Sequence, residues 1–263
     1  MRETFIDKKT GDYKISKRYK IHTFDPNIKG FREHLPFRIK NKIALVESEE
    51  LEFIEFAHNQ TIRGDLVLDV GCGQGRYKKA FSHTNYIGVD FGKGGTNWDY
   101  SKVNVICDVL NLPFKKDSFN VVLNSMVLEH VNDPQQCLIE CADVLKKEGK
   151  LFLVTPQGYG EHQSPHDYFR FSYWGLEYLL KKAGLKINFI KPMGGIFYVI
   201  GMHLKIVPEV IASNIKIRIF KNIVYKCLVL LFYYLVPFLL FYLDRMDKGK
   251  GITLYYGCYA KKE

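Results

Sequence analysis

Val67-Leu68-Asp69-Val70-Gly71-Cys72-Gly73-Gln74-Gly75 decides the fold of this chain. An apolar strand runs into three alternate glycines and then into a stretch that reads as a helix, the opening of a βα unit. Glycine lets the turn adopt positive φ and lets the backbone approach a ligand closely. In an open α/β sheet, ligands bind at the carboxyl ends of the strands. Asp69, just ahead of the glycines, is placed to hold a cationic group.

Working outward, short runs rich in Val, Ile and Leu recur at 66–70, 86–89, 103–107, 121–123 and 151–154. Such runs suit parallel strands buried on both faces. Helical periodicity fills 133–147 and ends at Gly149, and 49–56 also reads as helix. A further helix is expected to start at Ser172, a good capping residue, and to stop at Gly184. Residues 186–190 read as a sixth strand, and 252–260 alternate like an antiparallel seventh. The expectation is an α/β fold: a Rossmann-like, mostly parallel seven-stranded sheet with helices on both faces and a helical apolar insertion between the last two strands. Residues 1–58 form an amino-terminal extension, 59–192 the core, 193–250 the insertion and 251–263 the closing strand. Part of residues 1–42 is expected to cap the crevice, which otherwise lies open.

Two more acids end successive strands. Asp90 closes Tyr86-Ile87-Gly88-Val89-Asp90, where a carboxylate can accept both hydroxyls of a ribose. Asp108, followed by Val109, ends the third run, where a carboxylate can accept from a purine amine. One such acid is an ordinary turn former. Three at regular strand spacing beside a glycine loop make a row along one crevice.

These residues resemble the class I S-adenosylmethionine-dependent methyltransferases over residues 64–185. The nearest group ends its fourth strand in a segment like Asn124-Ser125-Met126-Val127-Leu128-Glu129-His130-Val131. The resemblance implies that Asp69, Gly71, Cys72, Gly73 and Gly75 hold the methionine end of the cofactor. It implies Asp90 for the ribose, Asp108 and Val109 for the adenine, and Asn124 and Ser125 near the sulfonium. A nicotinamide enzyme is the rival, but its fingerprint needs a third glycine where Arg76 stands, and Gly75 comes one residue early.

Methyl transfer to a hydroxyl needs alignment and a base. Candidates lie after the fifth strand, in Glu161-His162-Gln163-Ser164-Pro165-His166-Asp167-Tyr168-Phe169-Arg170-Phe171-Ser172. His166, His162 and Asp167 are the catalytic candidates, with Tyr168 and Arg170 for the substrate. In the plainer reading, the aromatics pack the next helix and Arg170 pairs with an acid. His162 and His166 stand at helical metal spacing, but Pro165 opposes a helix. Some ubiquinone-pathway O-methyltransferases of the wider family use a Glu-x-x-Glu-His metal site. Glu129 and His130 match its end, and Met126 replaces its first Glu. No metal is therefore expected, and the pair is expected to orient the start of the helix.

Charge and apolarity set the context. The net charge is +10, with 12 basic and 5 acidic residues in 1–42 and 9 and 3 in 216–263, so the middle is slightly acidic. The six cysteines show no zinc spacing, Cys137 and Cys141 read as buried neighbours, and no apolar signal opens the chain. A cytoplasmic setting is expected. Residues 227–243 carry no charge and are bracketed by Lys216, Arg218, Lys221 and Lys226 before and Arg245, Lys248 and Lys250 after. If 252–260 returns to the sheet, this run cannot cross a membrane once. It then lies in the interface of an anionic leaflet, re-enters as a pair broken near Pro237, or is buried in protein, including a homodimer face. A true span would need 252–260 outside the sheet. Cations around an aliphatic run argue against nucleic acid, whose binding faces interleave them with stacking aromatics. The expected activity is O-methylation of a small-molecule, glycan or lipid-linked acceptor at the inner face of a membrane. A non-catalytic cofactor-binding scaffold is the alternative.

Overall fold

The computed structural model describes residue 35, residues 37–93 and residues 98–263. Of residues 1–42, from which a cap is expected, residues 1–34 and 36 lie outside them. Seven strands form one sheet: β1 (Leu66–Val70), β2 (Asn85–Asp90), β3 (Val105–Ile106), β4 (Phe119–Ser125), β5 (Leu145–Pro156), β6 (Leu185–Met193) and β7 (Tyr255–Lys262). Their order is β3-β2-β1-β4-β5-β7-β6, with β7 antiparallel to both neighbours and the rest of the central pairings parallel. This is the expected Rossmann-like α/β sheet. The order reverses between β1 and β4, which opens the crevice at their carboxyl ends.

Helices cover both faces. On one side, α2 (Leu45–Asn59) sets Phe53 and Phe56 against Phe152 of β5 and Tyr259 of β7, all nearly or fully buried. Gly257 makes room for this, since a Cβ there would stand 2.7 Å from the Phe53 ring. On the other side lie α3 (Pro134–Val144) and α4 (Tyr173–Lys182). Asp133 accepts from the Gln136 amide and Ser172 from the Gly175 amide, so side chains start both helices. Cys137 and Cys141 lie buried on α3.

Three local expectations change. The helix expected to Lys147 ends at Val144, and β5 begins at once. The turn lies inside that strand, where Glu148 takes positive φ and β5 shifts register against β4. Residues after the glycine loop form turns rather than a helix, joined by bonds such as Lys78 N–H to Gly75 C=O and Ser82 N–H to Lys79 C=O. No Ser, Thr, Asp or Asn stands between Gly71 and Arg76 to cap a helix there. The third strand is only two residues long.

Between β6 and β7 the chain forms a helical arm. Its outgoing leg holds α5 (Ile196–His203) and α6 (Val207–Ser213). Its return leg is one helix from Arg218 to Met246, comprising α7 (Arg218–Leu230), a π-helical segment Leu231–Leu235, α8 (Val236–Leu243) and a final 3-10 turn. The break near Pro237, one of the alternatives for this run, does not occur. The π turn carries the helix into α8, where Pro237 sits in the first turn and needs no donor. Asp244 and Asp247 accept from the Gly195 and Ile196 amides, clasping the end of the arm to the start of α5. α1 (Phe37–Ile43) runs alongside, with Lys42 bonded to Tyr242 at 2.5 Å. Because β7 sits in the sheet, a span with the closing strand outside it is not the arrangement. The arm leaves and returns at one place.

Candidate active site at the carboxyl edge of the sheet

The glycine loop is built by its own backbone. Gly71 and Cys72 both donate to the Val89 carbonyl at 2.8 and 2.9 Å, folding the loop over the end of β2. Gly71 (φ +77°) presses on Val127, whose Cγ2 would lie 2.3 Å from a Cβ, so no side chain is tolerated there. Trp98 covers Gly73, its ring 3.2 Å from a Cβ built there. The result is a shallow cradle with bare backbone on its floor.

The three strand-tip acids behave differently. Asp69 is 1% exposed and accepts from the Tyr86 hydroxyl at 2.5 Å, so it steadies the loop from within rather than offering its carboxyl to a cation. Burial pushes its pKa up to about 7. Asp90 accepts from the Gly73 amide at 2.8 Å and the Gly92 amide at 2.9 Å. A carboxylate has about four lone-pair sites, which leaves acceptor capacity for ribose hydroxyls. Asp108 is exposed and uses one oxygen on the Leu110 amide. Asp90 and Asp108 therefore remain fit for the adenosine half.

Four expected contacts change character. Cys72 is buried, its sulfur tucked where Gly88 leaves space, and lines the cradle only through its backbone. Val109 packs into the core. Asn124 is fully buried and turned toward Cys137 of α3, away from the crevice. Ser125 donates to Glu50 at 2.9 Å. Glu50, on α2, is the residue the sequence reading missed. It also pairs with Arg76 at 2.8 Å and accepts from the Tyr77 hydroxyl. It joins the helix, the post-loop turns and the tip of β4 across 26 and 75 residues of chain. Only the helical periodicity around it was visible beforehand.

The loop after β5 folds against the 3-10 turn Leu128–His130. Asp167 holds the Arg170 guanidinium through both oxygens at 2.7 and 2.8 Å and accepts from the His162 amide at 2.7 Å. The hydrogen bonds from Arg170 hold its pKa well below the usual carboxylate range. It is a poor base and serves as a loop staple, so its expected catalytic role is withdrawn. Arg170 directs its remaining donors to the Tyr159, Gly160 and Phe169 carbonyls, so it is structural and does not reach out to a substrate. His166 and Tyr168 are exposed, with imidazole Nδ1 and the phenol oxygen 3.0 Å apart. His162 turns inward, toward Glu129 and His130. Glu129 is completely buried, and burial pushes its pKa up to about 8. An open cavity of about 340 Å³ joins this loop to the arm, lined by Glu47, Tyr159, Glu161, Met202, Ile206 and Tyr233 among others. Tyr233 comes from the π-helical segment, a distortion that often marks functional positions.

Comparison with known proteins agrees with this geometry. Residues 68–153 match the family model described as a methyltransferase domain. The ubiquinone biosynthesis O-methyltransferase of Coxiella burnetii is 33% identical over 121 residues, covering 42% of this chain and 51% of that protein. The chain thus spans about half the length of such a relative. Among solved structures, the geranyl diphosphate C-methyltransferase of Streptomyces coelicolor superposes with TM-score 0.53 at 16% identity, covering 83% of this chain and 80% of that one. Phosphoethanolamine N-methyltransferase 2 of Haemonchus contortus, solved with S-adenosyl-L-methionine, gives 0.51 at 18% identity, covering 81% and 52%. At those identities the two structures speak for the fold alone. S-adenosylmethionine is the cofactor of this methyltransferase domain. Residues 68–153 thus match the methyltransferase-domain family, on a sheet of the kind that class I S-adenosylmethionine-dependent methyltransferases share.

Proposed function

We propose that this chain methylates an oxygen of a small-molecule, glycan or lipid-linked acceptor at an anionic membrane surface on the cytoplasmic side. When bound, the cofactor supplies a methyl group on a positively charged sulfur, which departs as a neutral thioether. The glycine loop and Asp90 would fix the adenosyl and methionine parts, and Asp108 the adenine edge. His166 would take the proton of the acceptor hydroxyl as the oxygen–carbon bond forms, with Tyr168 orienting its ring. Positioning of this kind is worth roughly 7–11 kcal/mol of barrier.

The observation that carries the reading is the cavity shared by the post-β5 loop and the arm. An acceptor held there would sit between Glu161 of that loop and the apolar residues Met202, Ile206 and Tyr233 of the arm. The cavity's carboxylates Glu47, Glu161 and Glu209 suit a polyhydroxyl head, and Met202 and Ile206 suit an apolar tail. A relative named for ubiquinone O-methylation supports an oxygen acceptor. The return leg supports the membrane, since only 11% of its apolar window is buried and cations flank it.

The test is conversion of S-adenosylmethionine to S-adenosylhomocysteine in the presence of a membrane extract. Turnover is expected. Binding of the cofactor without turnover would favour the scaffold reading. His166→Ala should lower turnover about 10²–10⁴-fold, the worth of a general base, while cofactor affinity stays unchanged. Full activity in that variant would remove His166 from the reaction.

A further inference from the structure

Three potential ligand atoms face one another here with no hydrogen bond among them. Glu129 Oε1 lies 3.7 Å from His130 Nε2 and 3.9 Å from His162 Nε2, and the three ligand atoms fall within 4.8 Å of one another. Both oxygens of Glu129 and Nε2 of His130 are buried with no hydrogen-bond partner among the described residues. Burial holds Glu129 toward its neutral acid, and neither ring nitrogen lies within hydrogen-bond distance of it, so the three groups converge without bonding one another.

The outer contacts say what kind of atom would join them. His130 Nδ1 lies 2.6 Å from the His166 carbonyl, and His162 Nδ1 lies 3.1 Å from the Gly160 carbonyl. A carbonyl only accepts, so each Nδ1 carries the ring proton. The Asp167 carboxylate, 3.5 Å from His162 Nδ1, favours the same tautomer over the longer contact from Arg170. Each Nε2 is then a bare lone pair, and the two converge on the Glu129 carboxyl oxygen. Imidazoles whose outer nitrogens donate to carbonyls while their inner nitrogens converge are the usual supports of a bound metal. The nearby guanidinium of Arg170 does not fill the gap, because its bonds go to Asp167 and to backbone carbonyls.

We propose that Glu129, His130 and His162 bind one divalent transition-metal cation of the zinc class. Two imidazoles and one carboxylate suit such an ion, whereas magnesium and calcium prefer oxygen-only shells. Bonds of about 2.0–2.2 Å set tetrahedral ligand atoms about 3.3–3.6 Å apart, so the 3.7 and 3.9 Å separations would shorten by a few tenths of an ångström and the widest, within 4.8 Å, by about an ångström. Glu129 is sealed, while the side chains of His130 and His162 are 13% and 22% exposed, so the remaining coordination positions open on the histidine side. They would accept water or an oxygen of the acceptor. The third ligand comes from the loop after β5, 32 residues beyond His130 in the chain, which is why no local spacing announces the site.

The full chain without a histidine tag, stripped by chelator, is titrated with Zn2+ and separately with Mn2+ by calorimetry. It is then loaded with Co2+ for visible absorption. One equivalent of Zn2+ and a Co2+ spectrum typical of nitrogen and oxygen ligands are expected. Glu129→Gln and His162→Ala should each weaken binding at least tenfold and abolish that spectrum. His162 is on a partly exposed loop, so its variant keeps the test alive if the buried Glu129 variant misfolds. Absence of Zn2+ and Mn2+ binding overturns the proposal, and so does tight binding that survives both substitutions.

Discussion

At the residue scale, burial separates acids that looked equivalent in sequence. Asp69, Asp90 and Asp108 all end strands, and that regularity made the row legible. Nothing in the sequence said that Tyr86 would cover the first of them. The consequence is a pH dependence. The folded chain keeps a proton on Asp69 up to about pH 7, whereas the unfolded chain releases it near pH 4. Between those values the folded state binds more protons, so its stability falls as pH rises, with a slope of up to about 1.4 kcal/mol per unit. Asp69→Asn should remove that slope. Urea unfolding of both proteins without cofactor at several pH values checks this, and parallel profiles would contradict it. Glu50 illustrates what sequence hides at this scale. Its partners are distant in the chain, and only the packing of α2 on the sheet brings them together. The staple of Asp167 and Arg170 was legible as the plainer of two readings, and geometry selected it.

At the scale of elements, the strands were legible because parallel strands buried on both faces are continuous apolar runs. The boundaries were less so. β5 starts six residues before its apolar run, because Gly149 marks a turn within a strand and not the end of a helix. The arm was legible only in part. Residues 227–243 announced themselves by lacking charge, but the structure extends the return leg to Arg218–Met246 and gives it an outgoing partner, Ile196–Ser213. The apolar stretch in that partner is broken by Lys205 and Glu209, which hid it. The cations Lys216, Arg218, Lys221 and Lys226 run from the tip of the hairpin along the start of α7, all exposed. Each basic residue near an anionic leaflet is worth about 1 kcal/mol. Replacing all four by Gln should cut binding to phosphatidylglycerol-containing vesicles by at least about tenfold while leaving cofactor affinity unchanged. Flotation assays would show it. Equal binding by the variant would mean that charge does not hold the arm to the surface.

At the scale of the whole molecule, the two faces of the sheet are unequal. The side carrying α3 and α4 is mainly aliphatic, with Leu68, Leu138, Leu151, Leu176 and Leu180 among its fully buried residues. The side carrying α2 is aromatic, and Phe53 meets Phe56, Phe152 and Phe189 at ring distances of 6.1–6.4 Å. Phe53 is completely buried, so Phe53→Ala should cost about 3–5 kcal/mol of stability, read from the denaturation midpoint. Because α2 also presents Glu50 to the crevice, the same change should weaken cofactor binding. Loss of stability with undiminished affinity would show that the helix does not position the site.

The slot between β5 and β6 belongs to a latecomer. β5 and β6 do not touch there, for β7 lies between them and bonds to both. Since β7 follows the arm in the chain, a ribosome delivers some sixty residues of apolar hairpin before the wedge that locks the two earlier strands. Contacts spanning such long separations close slowly. The growing chain therefore carries its greasiest surface in the open while its sheet is still split, a condition in which an adjacent bilayer would shelter the hairpin until the last strand arrives.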